Sequence, residues 1–281
     1  MRACEQPRGK KERRVQYMLP HQLREEMKKL SLVFLPLGPL EWHGPQLALG
    51  CDPVIATEIA LAAADKVGGV VLPTLFMGTE RERPPFMLDS LGFRRGDYVI
   101  GMDFPNAKGK YGSYYCREEV FAIALRSHLE LCVAHGYRYI YIMNGHGGVN
   151  HLAVINRLVT EYNHEVKGVK VASSTDAPRP PIDAGTAHAG IHETSMLLHF
   201  DKSLADLAQL PSLKKAPRLK YSNFSIVDDG GFTGKPGKGH ALPPHEDPRV
   251  RATAKYGARL EEQSIKSIAQ HVRTVFGLGK R

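Results

Sequence analysis

Glu41 and His43 stand two residues apart in Glu41-Trp42-His43-Gly44, directly after an apolar run. Side chains two apart in an extended segment point the same way. This carboxylate and imidazole can therefore share one metal ion or grip two adjacent ones; an exposed Glu and a satisfied His are the plain alternative. Gly44-Pro45 turns the chain, and Asp52-Pro53 then opens a helix. Asp is a good N-cap and Pro suits the first helical turn, so Asp52 is expected to cap, with an oxygen left to face a pocket. His146 lies among Gly145, Gly147 and Gly148, which permit a tight backbone and close ligand approach. His188 and Glu193 share the segment 187–195, where a helix is expected to start near Glu193; the macrodipole alone would favour a carboxylate there. These segments supply the carboxylates Glu41, Asp52 and Glu193 and the imidazoles His43, His146 and His188. A mixed His and carboxylate set suits Zn, Mn or Fe, and metal-assisted hydrolysis is the simplest chemistry for it. The chain has no G-x-S-x-G nucleophile elbow, and the carboxylate beside Cys51 would raise a thiol pKa rather than activate it.

The elements that must position these residues alternate along the chain. Ser31–Gly38 and Val70–Leu75 read as short buried strands, with a helix from Asp52 to about Val67 between them. Glu118–His135 repeats apolar residues at helical spacing, Tyr137–Met143 is β-branched and aromatic, Leu152–Tyr162 is helical, Gly168–Ser174 is a strand, and Arg249–Phe276 is a closing helix. This alternation predicts an α/β fold, a mostly parallel sheet with helices on both faces. Ligands bind such sheets outside the carboxyl ends of the strands, where the segments of Glu41 and His146 begin. Thr79–Tyr114 reads as a long functional loop, and the Gly-rich stretch 230–239 as a flexible active-site or interface loop, since it lacks the order of a phosphate loop.

A chain of 281 residues buries a core without structural metals or disulfides. Its four cysteines form no C-x-x-C pair, no apolar run approaches a membrane span, and no apolar stretch follows the basic N-terminus as in a secretory signal. A cytoplasmic protein with reduced thiols and no membrane partner is expected. The formal charge of +9 gathers partly in Arg2, Arg8, Lys10, Lys11, Arg13 and Arg14. Residues 1–19 read as a basic, flexible leader and 20–281 as one domain; removing residues 1–14 is expected to leave stability nearly unchanged. A basic nucleic-acid-binding protein without catalysis is the rival from another class, but no recognition motif accompanies the charge; a small-molecule substrate and no nucleic acid are expected.

Leu35–Asp52 resembles the P-x-G-[ST]-x-E-Q-H-G-P-H-L-P-L-G-T-D signature of the creatininase (creatinine amidohydrolase) family. Asn144-Gly145-His146-Gly147-Gly148 is similar to its N-G-H-G-G block, His188 to Ser195 to its H-x-G-x-x-E-T-S block, and Ala252–Gly257 to its A-T-A-x-x-G block, all in family order. The resemblance implies a three-layer α/β/α sandwich, two divalent metals per subunit (Zn, Mn or Fe) and homo-oligomers, hexamers among them. It implies that Glu41 and His146 hold one metal, His43 the other, and that Asp52 bridges. His188 matches a catalytic or substrate-binding histidine. It implies hydrolysis of a cyclic amide or related small ring, or, within the same family, of a cyclic polyhydroxy diketone. The chain departs from the pattern at Trp42 for Gln, at Gln46 for His, and at Gly148, where creatininases carry Glu. Glu193 is expected to supply the missing carboxylate on the His43 side, acting as ligand and catalytic residue, ahead of Asp183 and Glu80.

Overall fold

The computed structural model describes residues 11–80, 113–178, 188–222, 225–227, 240–241 and 244–279. α1 spans Pro20–Lys29, β1 Leu32–Leu37, α2 Cys51–Val67, β2 Val70–Val71, α3 Glu118–Ala134, β3 Tyr139–Asn144, α4 Val149–Glu165 and β4 Lys170–Ser173. α5 (Ile191–Phe200), β5 (Lys220–Ser222), β6 (Ser225–Val227), β7 (His240–Ala241), α6 (Pro248–Arg251) and α7 (Ala254–Phe276) follow. The first four strands form a parallel sheet of order β2-β1-β3-β4, and the last three a small antiparallel sheet of order β6-β5-β7.

All six residues of β1 are buried, because both faces of the parallel sheet are covered. Leu32 and Phe34 enter one core with Ala56, Ile59 and Ala60 of α2 and Leu260, Ile268 and Val272 of α7. Val33, Leu35 and Leu37 enter the other with Phe121, Leu125 and Leu129 of α3 and Val154, Ile155 and Leu158 of α4. The period-2 alternation of a strand thus divides β1 between two helical layers, and the expected α/β/α sandwich is present.

Several boundaries moved. The strand expected over Val70–Leu75 is only Val70–Val71, with an isolated bridge from Leu75 to Leu37; Pro73 has no N–H for a ladder. The expected closing helix is two helices, because the Thr253 hydroxyl caps a fresh start by accepting from Tyr256 N at 3.1 Å. Asp52 is not the N-cap of α2: Gly50 holds that position and Asp52 lies within the first turn. Most of the 79–114 and 230–239 loops lies outside the described residues. Among the described residues, no helix is long and apolar enough to cross a membrane.

From Lys11 onward the leader is tied to the body. Arg14 bridges Val71 in parallel, and Val71 N donates to Arg13 O at 2.8 Å. The Arg13 guanidinium reaches Glu26 at 3.1 Å, Gly69 O at 3.0 Å and Asp65 at 3.3 Å, while Lys11 and Lys29 also pair with the buried Glu26. Composition could not reveal this, because the partners lie up to 56 residues away. Removing residues 1–14 strips a buried carboxylate of two of its cations. Such a loss costs about 1–3 kcal/mol, so a melting temperature lower by roughly 3–8 °C is expected. An unchanged melt by scanning fluorimetry would mean that these contacts are idle.

Candidate metal centre

The strand order creates the crevice. The chain leaves β1 through α2 toward β2, and leaves β3 through α4 toward β4, so the two connections run opposite ways from neighbouring strands. Such a switch point opens a crevice at the carboxyl ends. Leu37 pairs with Asn144, the last residues of β1 and β3, so the loops carrying Glu41 and His146 rise side by side. The first turn of α2 inserts between them. A Cβ on Gly145 would lie 2.2 Å from Asp52 O, so only a glycine lets the His146 turn pass this closely. Asn144 shapes that turn: its Nδ2 donates to His146 O at 2.6 Å and its Oδ1 accepts from His146 N at 3.1 Å.

Asp52 faces both histidines. Its Oδ1 is 3.0 Å from His43 Nε2 and its Oδ2 is 3.0 Å from His146 Nδ1. Glu41 Oε2 is 2.9 Å from His146 Nδ1 and 3.9 Å from His43 Nε2. Glu193 Oε1 is 3.9 Å from His43 Nε2, and its other oxygen accepts from Ala189 N at 2.5 Å. The carboxylate therefore serves the helix start and still reaches the site. His43 Nδ1 donates to Glu41 O at 3.1 Å, which leaves Nε2, 3.0 Å from Asp52 Oδ1, as the nitrogen that could hold a cation once its proton is lost. That Nε2 is buried with no hydrogen-bond partner.

His188 lies over His43, ring centroids 4.1 Å apart, and its Nε2–H donates to Trp42 O at 2.7 Å. Nδ1 of His188 is then the nitrogen able to take or give a proton. The next residue, Ala189, has φ 57°, the sole positive φ on a non-glycine among the described residues. Such a conformation costs about 1–3 kcal/mol and persists only where neighbours impose it. Here Gln46 Nε2 donates to Ala189 O at 3.0 Å while Glu193 holds Ala189 N. Gln46, a departure from the family signature, thus ties the His43 loop to the His188 turn.

Three neighbours were undervalued or missed in the sequence. Glu80, weighed below Glu193, is buried with its Oε2 3.8 Å from His146 Nε2. It lies in the space that Gly148 leaves: a Cβ there would be 3.1 Å from Glu80 Cβ and 2.6 Å from His146 Nε2. Tyr115 donates to Glu41 Oε1 at 2.6 Å and lies 3.4 Å from Glu80 Oε2. Cys51 lies beside His43 and Glu193. Burial foremost pushes its thiol up to about 12, so without a cation it is neutral. Glu80 shows in the sequence only as the first charge of the run Glu80-Arg81-Glu82-Arg83, and Tyr115 carries no motif. Asp183 lies outside the described residues.

Buried carboxylates and imidazoles at these distances fit divalent cations. Ligand atoms from Glu41, Glu80 and His146 lie within 4.8 Å of one another, as do those from Glu41, His43 and His188 and from His43, Cys51 and Glu193. Without an ion such anions are stable only if paired with positive charge, and the rings supply it. Burial opposes a charge on His146, but Glu41 and Asp52 outweigh it and raise the ring to about 10. Burial likewise opposes a charge on His43, yet the carboxylates of Asp52 and Glu193 raise it well above the usual range. Burial would raise Glu41, but His146, His188 and His43 hold it well below the usual carboxylate range. With raised pKa values both rings carry protons in the metal-free protein near neutrality, and a cation must displace them. Metal affinity is therefore expected to rise with pH, about tenfold per unit for each cation. Chelator competition between about pH 6 and about pH 8 checks the sign; a flat profile would mean that both rings are already neutral.

The creatininase family profile, described as creatinine amidohydrolase, matches residues 16–89 and 98–272. The mycofactocin precursor peptide peptidase of Mycolicibacterium smegmatis is 25% identical over 258 residues, covering 87% of this chain and 85% of its own. The 3-dehydro-scyllo-inosose hydrolase of Thermotoga maritima is 28% identical over 132 residues, 47% of this chain and 35% of its own. The crystal structure of a creatinine amidohydrolase superposes with a TM-score of 0.67 at 19% identity, covering 96% of this chain and 100% of the other.

Proposed function

The chain belongs to the creatininase family of hydrolases, and we propose that it hydrolyses the C–N bond of a cyclic amide or related small ring at a two-cation centre. The observation that carries this reading is Asp52, whose two oxygens each stand 3.0 Å from a different buried histidine. Glu41, Asp52 and His146 would hold one cation; His43, Asp52 and Glu193 the other. Bound cations would polarise the substrate carbonyl and acidify the attacking water. The chain's own groups do the rest. Tyr115 keeps Glu41 oriented by its 2.6 Å hydrogen bond. His188, half-buried with its Nε2–H fixed on Trp42 O, takes up a proton at Nδ1 and returns it to the leaving nitrogen.

A second reading is a peptide amide, favoured by the peptidase relative that aligns over 87% of this chain. Both readings share amide hydrolysis and differ in the size of the acyl and amine groups. Elemental analysis of the purified protein, followed by a panel of lactams, short peptides and cyclic ketones, tests them. Turnover of lactams supports the first reading and turnover of peptides alone the second. Turnover of ketones alone would move the chemistry to C–C cleavage of a cyclic polyhydroxy diketone. A protein that binds no divalent cation under any condition would sink all three.

The carboxylates on the two sides should separate by metal titration. Glu193→Gln is expected to weaken one of the two equivalents by about 10–100-fold or more, and Glu80→Gln the other through His146. The double variant should lose both. If Glu80→Gln changes neither equivalent, Glu80 is only a buried neighbour of Tyr115; if Glu193→Gln changes neither, Glu193 serves only the start of α5.

A further inference from the structure

We propose that Cys51 is a sulfur ligand of the cation on the His43 side and makes that half of the centre selective for zinc. One ligand atom from each of His43, Cys51 and Glu193 lies within 4.8 Å of the other two. Zn–S and Zn–N bonds are about 2.3 and 2.0 Å, so a single ion can bridge these atoms with small side-chain adjustments. Cys51 and His43 are both fully buried. His43 Nε2, the nitrogen left over once Nδ1 is committed to Glu41 O, has no hydrogen-bond partner. A buried nitrogen that makes no hydrogen bond and stands 3.0 Å from Asp52 Oδ1, with a sulfur and a second carboxylate beside it, is a donor set suited to a cation.

Position in the fold supports the assignment. Cys51 is the first residue of α2 and Asp52 the second, and a helix N-terminus favours negative charge on both. The space at Gly148 opens on His146 and Glu80, while α2, α5 and the loop after β1 bring Cys51, Glu193 and His43 together on the other side. Cys51 also packs with Leu47, Ala189 and Leu197, which fixes its place without using its sulfur. Binding exchanges the thiol proton for the cation, the proton leaving to solvent. A thiolate is a soft ligand that favours zinc, whereas carboxylates and imidazole alone accept manganese readily.

The inference rests on the two-cation reading above, and the experiment separates their failures. The full-length protein is stripped of metal, loaded with Co²⁺ and examined in the near ultraviolet for a thiolate-to-cobalt charge-transfer band. The band is expected in the wild type and in Cys4→Ser, Cys116→Ser and Cys132→Ser, and is expected to vanish in Cys51→Ser. Cys51→Thr serves as a second variant should Cys51→Ser fold poorly. In the surviving variant the preference for zinc over manganese should fall by at least about tenfold. Two equivalents of bound cobalt without the band overturn the role of Cys51 and leave the two-cation centre standing. A band that survives in both Cys51 variants overturns it as well. Failure to bind any cobalt overturns both.

Discussion

Asp52→Asn is expected to reduce the bound metal from two equivalents to at most one and to lower turnover at least about 100-fold, the upper end of what changes beyond the first ligand sphere cost. The carboxylate is buried, and each oxygen stands 3.0 Å from a different imidazole nitrogen. Two ligand atoms bound to one cation at about 2.0–2.2 Å lie roughly this far apart. An amide keeps the shape but presents one neutral oxygen and an NH₂ group with no lone pair to give. One side of the bridge is therefore lost outright and the other weakened. Helix capping plays no part, since Gly50 is the N-cap and makes no side-chain cap bond; the fold should survive the change. Elemental analysis beside circular dichroism measures both. A folded variant holding two equivalents with full turnover would reduce Asp52 to a packing residue.

Gly145→Ala is expected to damage fold and site together. The added Cβ would stand 2.2 Å from Asp52 O, 2.7 Å from its carbonyl carbon and 3.1 Å from its Cα. All three are backbone atoms of the first turn of α2. They cannot swing aside, because Ala56, Ile59, Ala60 and Ala63 lock that helix into the core. The turn or the helix must shift, at a cost of about 1–3 kcal/mol or more. The melting temperature should fall by roughly 3–10 °C. The shift also separates Asp52 from His146, one residue on from Gly145, so at least one cation should bind about tenfold more weakly. Gly147→Ala is the control: nothing lies within 4 Å of its Cβ, and its stability should stay within about 0.5 kcal/mol of wild type. Equal melting temperatures and metal affinities for the two variants would show that the approach of α2 to the turn is not tight.

The sequence by itself determined the elements and half of the centre. Strands such as Leu32–Leu37 and helices such as Glu118–Ala134 are legible because burial on a regular backbone imposes a period of two or of about 3.6 residues on nearby positions. Glu41, His43 and His146 are legible because strand-end loops rich in glycine and proline carry them. Tertiary structure alone decided which of these loops meet. The order β2-β1-β3-β4 sets Leu37 beside Asn144, 107 positions later, and no local pattern encodes that neighbour. The same holds for Asp52, which locally reads as a cap and in space faces two histidines from the second position of α2. Glu80 ranked below Glu193, and Tyr115 and Cys51 did not show as ligands or partners, because a carboxylate, a phenol and a thiol acquire chemistry only from what burial brings against them. Arg13 and Lys11 belong with them: charge composition makes a tail of them, and the buried carboxylate of Glu26 holds them to the body.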